Sequence, residues 1–218
     1  MPVIRVIPIG NTDTCSFNAD GTISVPQRVM QRLNWQHNQK IALSYIAEPL
    51  TLLLAAAENE VPGFTLSYRN RTVSTSVGGR ISCTKFTNEV MRTKVALPAR
   101  GIFPVFLRNV NYQLALLLQP IDWLVVDFSL AGCLQINPEL KGVYQLLSAD
   151  QKVLRIGEGA IQSRIKEHLK DERLARAAKT LRYLGLADKE ETSLMEKILI
   201  AHHEANYREL PQFNAIRA

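Results

Sequence analysis

Two stretches of this chain, residues 20–56 and 78–119, follow one pattern, and it restricts the first half to a β-rich architecture. Each opens on a glycine turn and a four-residue strand, Thr22 to Val25 in one and Arg80 to Cys83 in the other. A polar stretch follows, then a strand, an Asn or Glu-Pro turn and a leucine-rich return strand. Around them, residues 12–119 consist of short β-branched and apolar runs punctuated by Gly, Pro and Asn, which favours strands over helices. Each unit is about 40 residues long, so one supersecondary unit reads as duplicated, in repeats spanning about 12–57 and 64–119. In the first, Ile23 and Val25 alternate inward, Pro26 can begin a helix, and Val29, Met30 and Leu33 share a helical stripe. The second matches in pattern with few identities, since its helix-length segment contains β-branched residues and Pro98.

Charge marks the same region. The 218 residues carry a formal charge of +6, distributed as −1 over residues 1–60, +7 over 61–120 and zero over 121–218. Arg69, Arg71, Arg80, Lys85, Arg92, Lys94, Arg100 and Arg108 make the excess. A concentrated basic stretch is the footprint of a phosphate-binding surface, and these eight side chains are the candidate contacts to duplex DNA. Other function classes are disfavoured. There is no apolar run long enough to span a bilayer and no secretion signal in MPVIRVIPIGNTDT, so the expected setting is cytoplasmic, away from membranes. Cys15, Cys83 and Cys133 lack paired spacing and read as buried small hydrophobes, outside any disulfide or zinc framework.

Behind the basic region the pattern changes. Residues 121–138 read as a connector containing a strand, and Pro138 marks the start of a domain over 139–218. There GVYQLLS and KVLRIG are strands around an Ala149-Asp150 turn, and AIQSRIKEHLKDERLARAA is a helix. TLRYLGL is a third strand and EETSLMEKILIAHHEAN a second helix, begun by a capping box of Asp188 and Glu191. The expected fold class is α+β: a β-rich domain over 1–120, then a short antiparallel sheet flanked by helices.

Chemistry-bearing residues recur in order through this last third: Gly142-Val143-Tyr144, Arg155-Ile156-Gly157, Arg164 and His168, Glu196, and Asn214. A two-residue loop at Ala149-Asp150 would set Tyr144 opposite Arg155, where a guanidinium biases a phenol toward phenolate, able to take a proton from water. A half-buried tyrosine packed over an arginine stem would show the same pair. Ile161, Ile165 and Leu169, spaced by four, form a buried stripe, with Arg164 and His168 along its edge where they can meet a phosphate. Of the two, His168 carries the weaker expectation. Glu196, at the margin of an apolar helix face, suits a hard divalent ion completed by water. His202 and His203 match no zinc spacing and read as packing or surface residues.

These ordered pieces resemble the GIY-YIG nuclease domain over residues 141–214, with one departure: the tyrosine of its second motif is Arg155 here. The resemblance implies a small α/β nuclease in which Tyr144, Arg155, Arg164, His168, Glu196 and Asn214 are the catalytic set. It implies that Glu196 holds Mg²⁺ or another divalent cation such as Mn²⁺, and that Asn214 holds the site together or orients solvent. DGTISVPQRVMQRLNW is similar to the swapped-hairpin DNA-binding domain of AbrB/SpoVT-type transcription factors, whose two half-domains come from two chains. Here a tandem pair could build that body from one chain, with the basic copy facing DNA. The function expected is a sequence-specific, restriction-type DNA endonuclease, acting as a homodimer or higher oligomer where both strands are cut. Two alternatives stand beside it: a DNA-binding regulator with an inactive nuclease domain, and a mobile-element or structure-specific nicking nuclease.

Overall fold

In the computed structural model, residues 14–18, 20–57, 64–68, 79–82, 100–107 and 111–214 are described, and the chain divides into two units, 1–120 and 121–218. It is mixed α+β, with antiparallel sheets and five helices among the described residues. None of these helices is long and apolar enough to cross a membrane.

The first unit contains β1 (Ser16–Phe17), β2 (Thr22–Val25), α1 (Gln27–Leu33), β3 (Lys40–Ile46), β4 (Thr51–Ala56), β5 (Phe64–Tyr68), β6 (Gly79–Ser82), β7 (Pro104–Phe106) and β8 (Leu114–Leu117). Helix α1 starts after Pro26 and ends at Asn34, whose left-handed backbone (φ 55°) stops it. Val29 and Met30 are buried, as the helical stripe requires. The eight strands lie in the order β1-β2-β6-β5-β3-β4-β8-β7. A bridge between Cys15 and Ile102, with N–O distances of 2.8 and 3.0 Å, joins the two ends of that order and closes the sheet on itself. The closure leaves a single core of Phe17, Ile23, Ile41, Leu52, Leu54, Leu66, Ile81, Leu114 and Leu116 inside, drawn from alternate strand positions.

The pairing is two-fold. Strand β2 pairs with β6 so that Ile23 meets Ile81, and Thr22↔Ser82 is mirrored by Ser24↔Arg80. Strand β4 pairs with β8 in the same antiparallel manner, and the β3–β5 pairing is mirrored by the bridge that ties β7 to β1.

The second unit holds β9 (Leu124–Asp127), α2 (Leu130–Leu134), β10 (Lys141–Leu147), β11 (Val153–Ala160), α3 (Ile161–His168), α4 (Glu172–Ala177), β12 (Thr180–Gly185) and α5 (Lys189–Tyr207). Its sheet runs β11-β10-β12-β9, antiparallel throughout. Residues 121–138 are therefore no connector: β9 is the fourth strand and α2 packs against α3. The single helix expected over 160–178 is two. Asp171 interrupts it, its carboxylate accepting from the Arg173 and Leu174 amides and so capping α4. Asp188 caps α5 by accepting from Glu191 N at 2.8 Å.

Strand β10 is buried along six of its seven residues. Helices α3 and α5 both pack against β10 and β11. Ile161 and Ile165 join Tyr144, Leu146, Leu181 and Tyr183 in one core, with Leu169 packed against it, so the spacing by four did mark the buried stripe.

Candidate active site

The hairpin that presents the site turns over three residues rather than two. Ser148 N bonds to Lys152 O at 3.0 Å around Ala149, Asp150 and Gln151, the last with a left-handed φ of 63°. A bulge between Leu146 and Leu147 then absorbs one more residue. Tyr144 consequently pairs with Gly157 and Arg155 with Leu146, which corrects the direct Tyr144–Arg155 opposition expected from a two-residue loop. Two one-residue shifts add to one full pleat repeat, so Tyr144 and Arg155 remain on the same face as diagonal neighbours.

The Tyr144–Gly157 pairing explains the glycine. An ideal Cβ at Gly157 would overlap the Tyr144 hydroxyl and the ring carbon bearing it. The phenol end of Tyr144 thus occupies the space a side chain would need at Gly157, and the residue is 2% exposed. Gly157→Ala should therefore displace the phenol, costing on the order of 1–3 kcal/mol of stability as an overpacked core. Denaturant unfolding reads this directly, and an unchanged midpoint would mean that the ring has room to move.

Tyr144 Oη lies 2.6 Å from His168 Nε2. With that nitrogen unprotonated, the phenol donates to it. His168, the less expected of the helix pair, is thus the direct partner of the tyrosine; the one-dimensional signal was only its spacing of four from Arg164. Burial pushes the Tyr144 pKa above the ordinary tyrosine value. The Arg155 guanidinium, by its charge and a hydrogen bond, and then Arg164, by charge, pull it down, while Glu196 pushes it up. Burial wins, which corrects the expected bias toward phenolate: at neutral pH this group is an O–H.

Arg155, Arg164 and Glu196 are thus all near enough to Tyr144 for their charges to bear on its ionisation. Arg155 also donates Nη1 to Phe213 O at 2.6 Å, while its buried Nε has no hydrogen-bond partner among the described residues. Arg164 leans over the end of β11, where a Cβ at Gly159 would come 3.5 Å from its Nε. Its guanidinium is exposed and pairs with Glu167 at 3.1 Å. Such a solvent-exposed pair contributes at most about 1 kcal/mol, so an anionic ligand can displace it. Glu196 is half-buried on α5 between the buried Met195 and Ile198.

Asn214 acts on the backbone. Its Oδ1 accepts from Ile156 N and its Nδ2 donates to Ile156 O, both at 2.8 Å, and Phe213 N bonds to Leu154 O at 2.9 Å. The turn at 211–214, closed by Asn214 N bonding to Pro211 O at 2.8 Å, is therefore held against β11 and carries the carbonyl that holds Arg155. Nothing in the pattern of the chain marked Phe213 as a partner of Arg155.

No group of three His, Cys, Asp or Glu side chains comes together as a metal cage among the described residues. His203 is buried against Tyr207 with ring centroids 4.6 Å apart, and burial lowers its pKa and that of His202, so both fit a packing role. Cys15 and Cys133 are both buried; Cys83 lies outside the described residues.

For the basic set, the structure describes Arg80 as a backbone position in β6, opposite Ser24, and Arg100 as an exposed residue ahead of β7. Arg69, Arg71, Lys85, Arg92, Lys94 and Arg108 lie outside the described residues. No family model, curated protein or solved structure matches the chain.

Proposed function

We propose that the chain is a DNA endonuclease of the GIY-YIG type, hydrolysing phosphodiester bonds in duplex DNA with its second unit and reading DNA sequence with its first. The observation that carries this reading is the 2.6 Å contact of Tyr144 Oη with His168 Nε2, on a phenol whose ionisation also feels the charges of Arg155, Arg164 and Glu196 from three different elements. A phenol in contact with an imidazole can pass a proton without itself becoming an anion. An attacking water gives a proton to Tyr144 Oη as that oxygen gives its own to His168 Nε2. The new bond forms from the water oxygen to phosphorus, and the bond from phosphorus to the leaving sugar oxygen breaks. That oxygen takes a proton from solvent. Arg164 exchanges Glu167 for the non-bridging phosphate oxygens, which gain negative charge in the transition state.

Glu196 is the carboxylate of this set. One hard oxygen donor is enough for Mg²⁺ or Mn²⁺, which keep several waters and are often held by one or two carboxylates plus phosphate oxygens. A divalent ion there supplies Lewis-acid stabilisation of phosphate charge. The basic region supports the DNA half of the reading, as does the β2-α1-β3-β4 succession, which has the order of the swapped-hairpin DNA-binding domain it resembles.

The alternative of a DNA-binding regulator with an inactive nuclease unit draws on Arg155 in place of tyrosine. Plasmid DNA of mixed sequence incubated with the full chain and Mg²⁺ or Mn²⁺ decides between them. Cutting, with fragment ends that share one sequence, is expected. Single-strand breaks alone would favour the nicking alternative, and retained binding without cutting in either ion would favour the regulator.

A further inference from the structure

The first unit has the symmetry of a dimer within one chain. Its strand order reads as two halves, β1-β2 against β6-β5 and β3-β4 against β8-β7, so that each strand of the first repeat has a counterpart in the second. Two of the four corresponding pairs, β2 with β6 and β4 with β8, lie side by side and pair antiparallel. Ile23 meets its own counterpart Ile81, which is where a two-fold axis would pass. In an assembly of two chains, contacts of this kind are isologous and join the copies. Here they are intramolecular, and the Cys15–Ile102 bridge closes the ring of strands, leaving no open edge among the described residues at which a second copy would complete it.

The two halves differ in charge. Residues 1–60 carry −1 and residues 61–120 carry +7. A true two-fold body offers DNA two identical faces and so reads an element equal to its own reverse complement. A pseudo-two-fold body with its cations on one half has no second equivalent orientation on the duplex. We propose that one chain carries a complete DNA-reading body and binds an element without two-fold symmetry, the contacts coming from the second repeat; this rests on the DNA-binding reading above.

The test uses the full chain as Glu196→Ala, in Mg²⁺, so that bound DNA is not cut. Duplexes retained from a random pool are sequenced, and the complexes are weighed by native mass spectrometry. One chain on an element lacking a dyad is the expected result. A self-complementary element, or complexes formed only with two chains on the element, would overturn the proposal. Salt titrations of two further substitutions complete it. Arg100→Gln should reduce the slope of log affinity against log salt by about one unit, while Arg28→Gln, an exposed position of the first repeat, leaves it unchanged. Equal effects from both would also overturn the one-sided reading. If no duplex is retained from the pool at any salt concentration, the DNA-binding assignment itself fails, an outcome distinct from a symmetric element.

Discussion

Tyr144→Phe is expected to slow single-turnover DNA cleavage by about two to four orders of magnitude, the range that a positioned proton-transfer group supplies. The change keeps the ring over Gly157 and the packing against the core while deleting only the oxygen that meets His168. His168→Ala should cost nearly as much, and the double substitution little more than either alone, because the two groups pass one proton between them. Single-turnover conditions keep slow product release from masking the chemical step. A Tyr144→Phe chain that cleaves at the wild-type rate across a pH series would remove the phenol from the mechanism.

The same substitution has a stability signature with a definite sign. The folded-state pKa of Tyr144 lies above its unfolded value because burial disfavours the phenolate. The stability linked to this proton is therefore complete below about pH 10, the unfolded tyrosine value, and is lost as pH rises through the higher folded value. Thermal unfolding above pH 10 should show Tyr144→Phe losing less stability with rising pH than the parent chain. Parallel curves would mean that the phenol ionises as readily folded as unfolded.

Glu196→Ala is expected to abolish cleavage in Mg²⁺ while DNA binding persists. A bound divalent ion contributes several kcal/mol of transition-state charge stabilisation, so the loss should reach on the order of 10³-fold or more. The folded state should tolerate the change, since Glu196 is only half-buried and Met195 and Ile198 carry the packing of that turn. Cleavage rates measured against Mg²⁺ concentration, beside gel-shift affinity for the same duplex, separate the two effects. Undiminished cutting would overturn the assignment of Glu196, and a parallel loss of binding would move its role from chemistry to DNA contact.

Much of this architecture was legible one segment at a time. Alternation marked β2, the spacing of Ile161, Ile165 and Leu169 marked the buried face of α3, and Asp188 announced the start of α5, because each signal lies within a few residues and follows the period of its own element. The order of Tyr144, Arg155, Arg164, His168, Glu196 and Asn214 was likewise readable along the chain. Their mutual geometry was not. Register depends on sums of single-residue choices at a loop and a bulge, so a left-handed Gln151 and one extra residue near Leu147 moved Tyr144 from Arg155 to Gly157. The same holds for the segment at Asp171, where one side-chain cap outcompeted continuation of a helix. Residues 121–138 looked like a connector because the partner that makes β9 a strand, β12, lies more than fifty residues ahead. The state of Tyr144 is the clearest case. Its cationic neighbours could be named from composition and order, but whether their charge or the loss of water prevails depends on how completely the tertiary fold encloses one oxygen, and there the enclosure prevails.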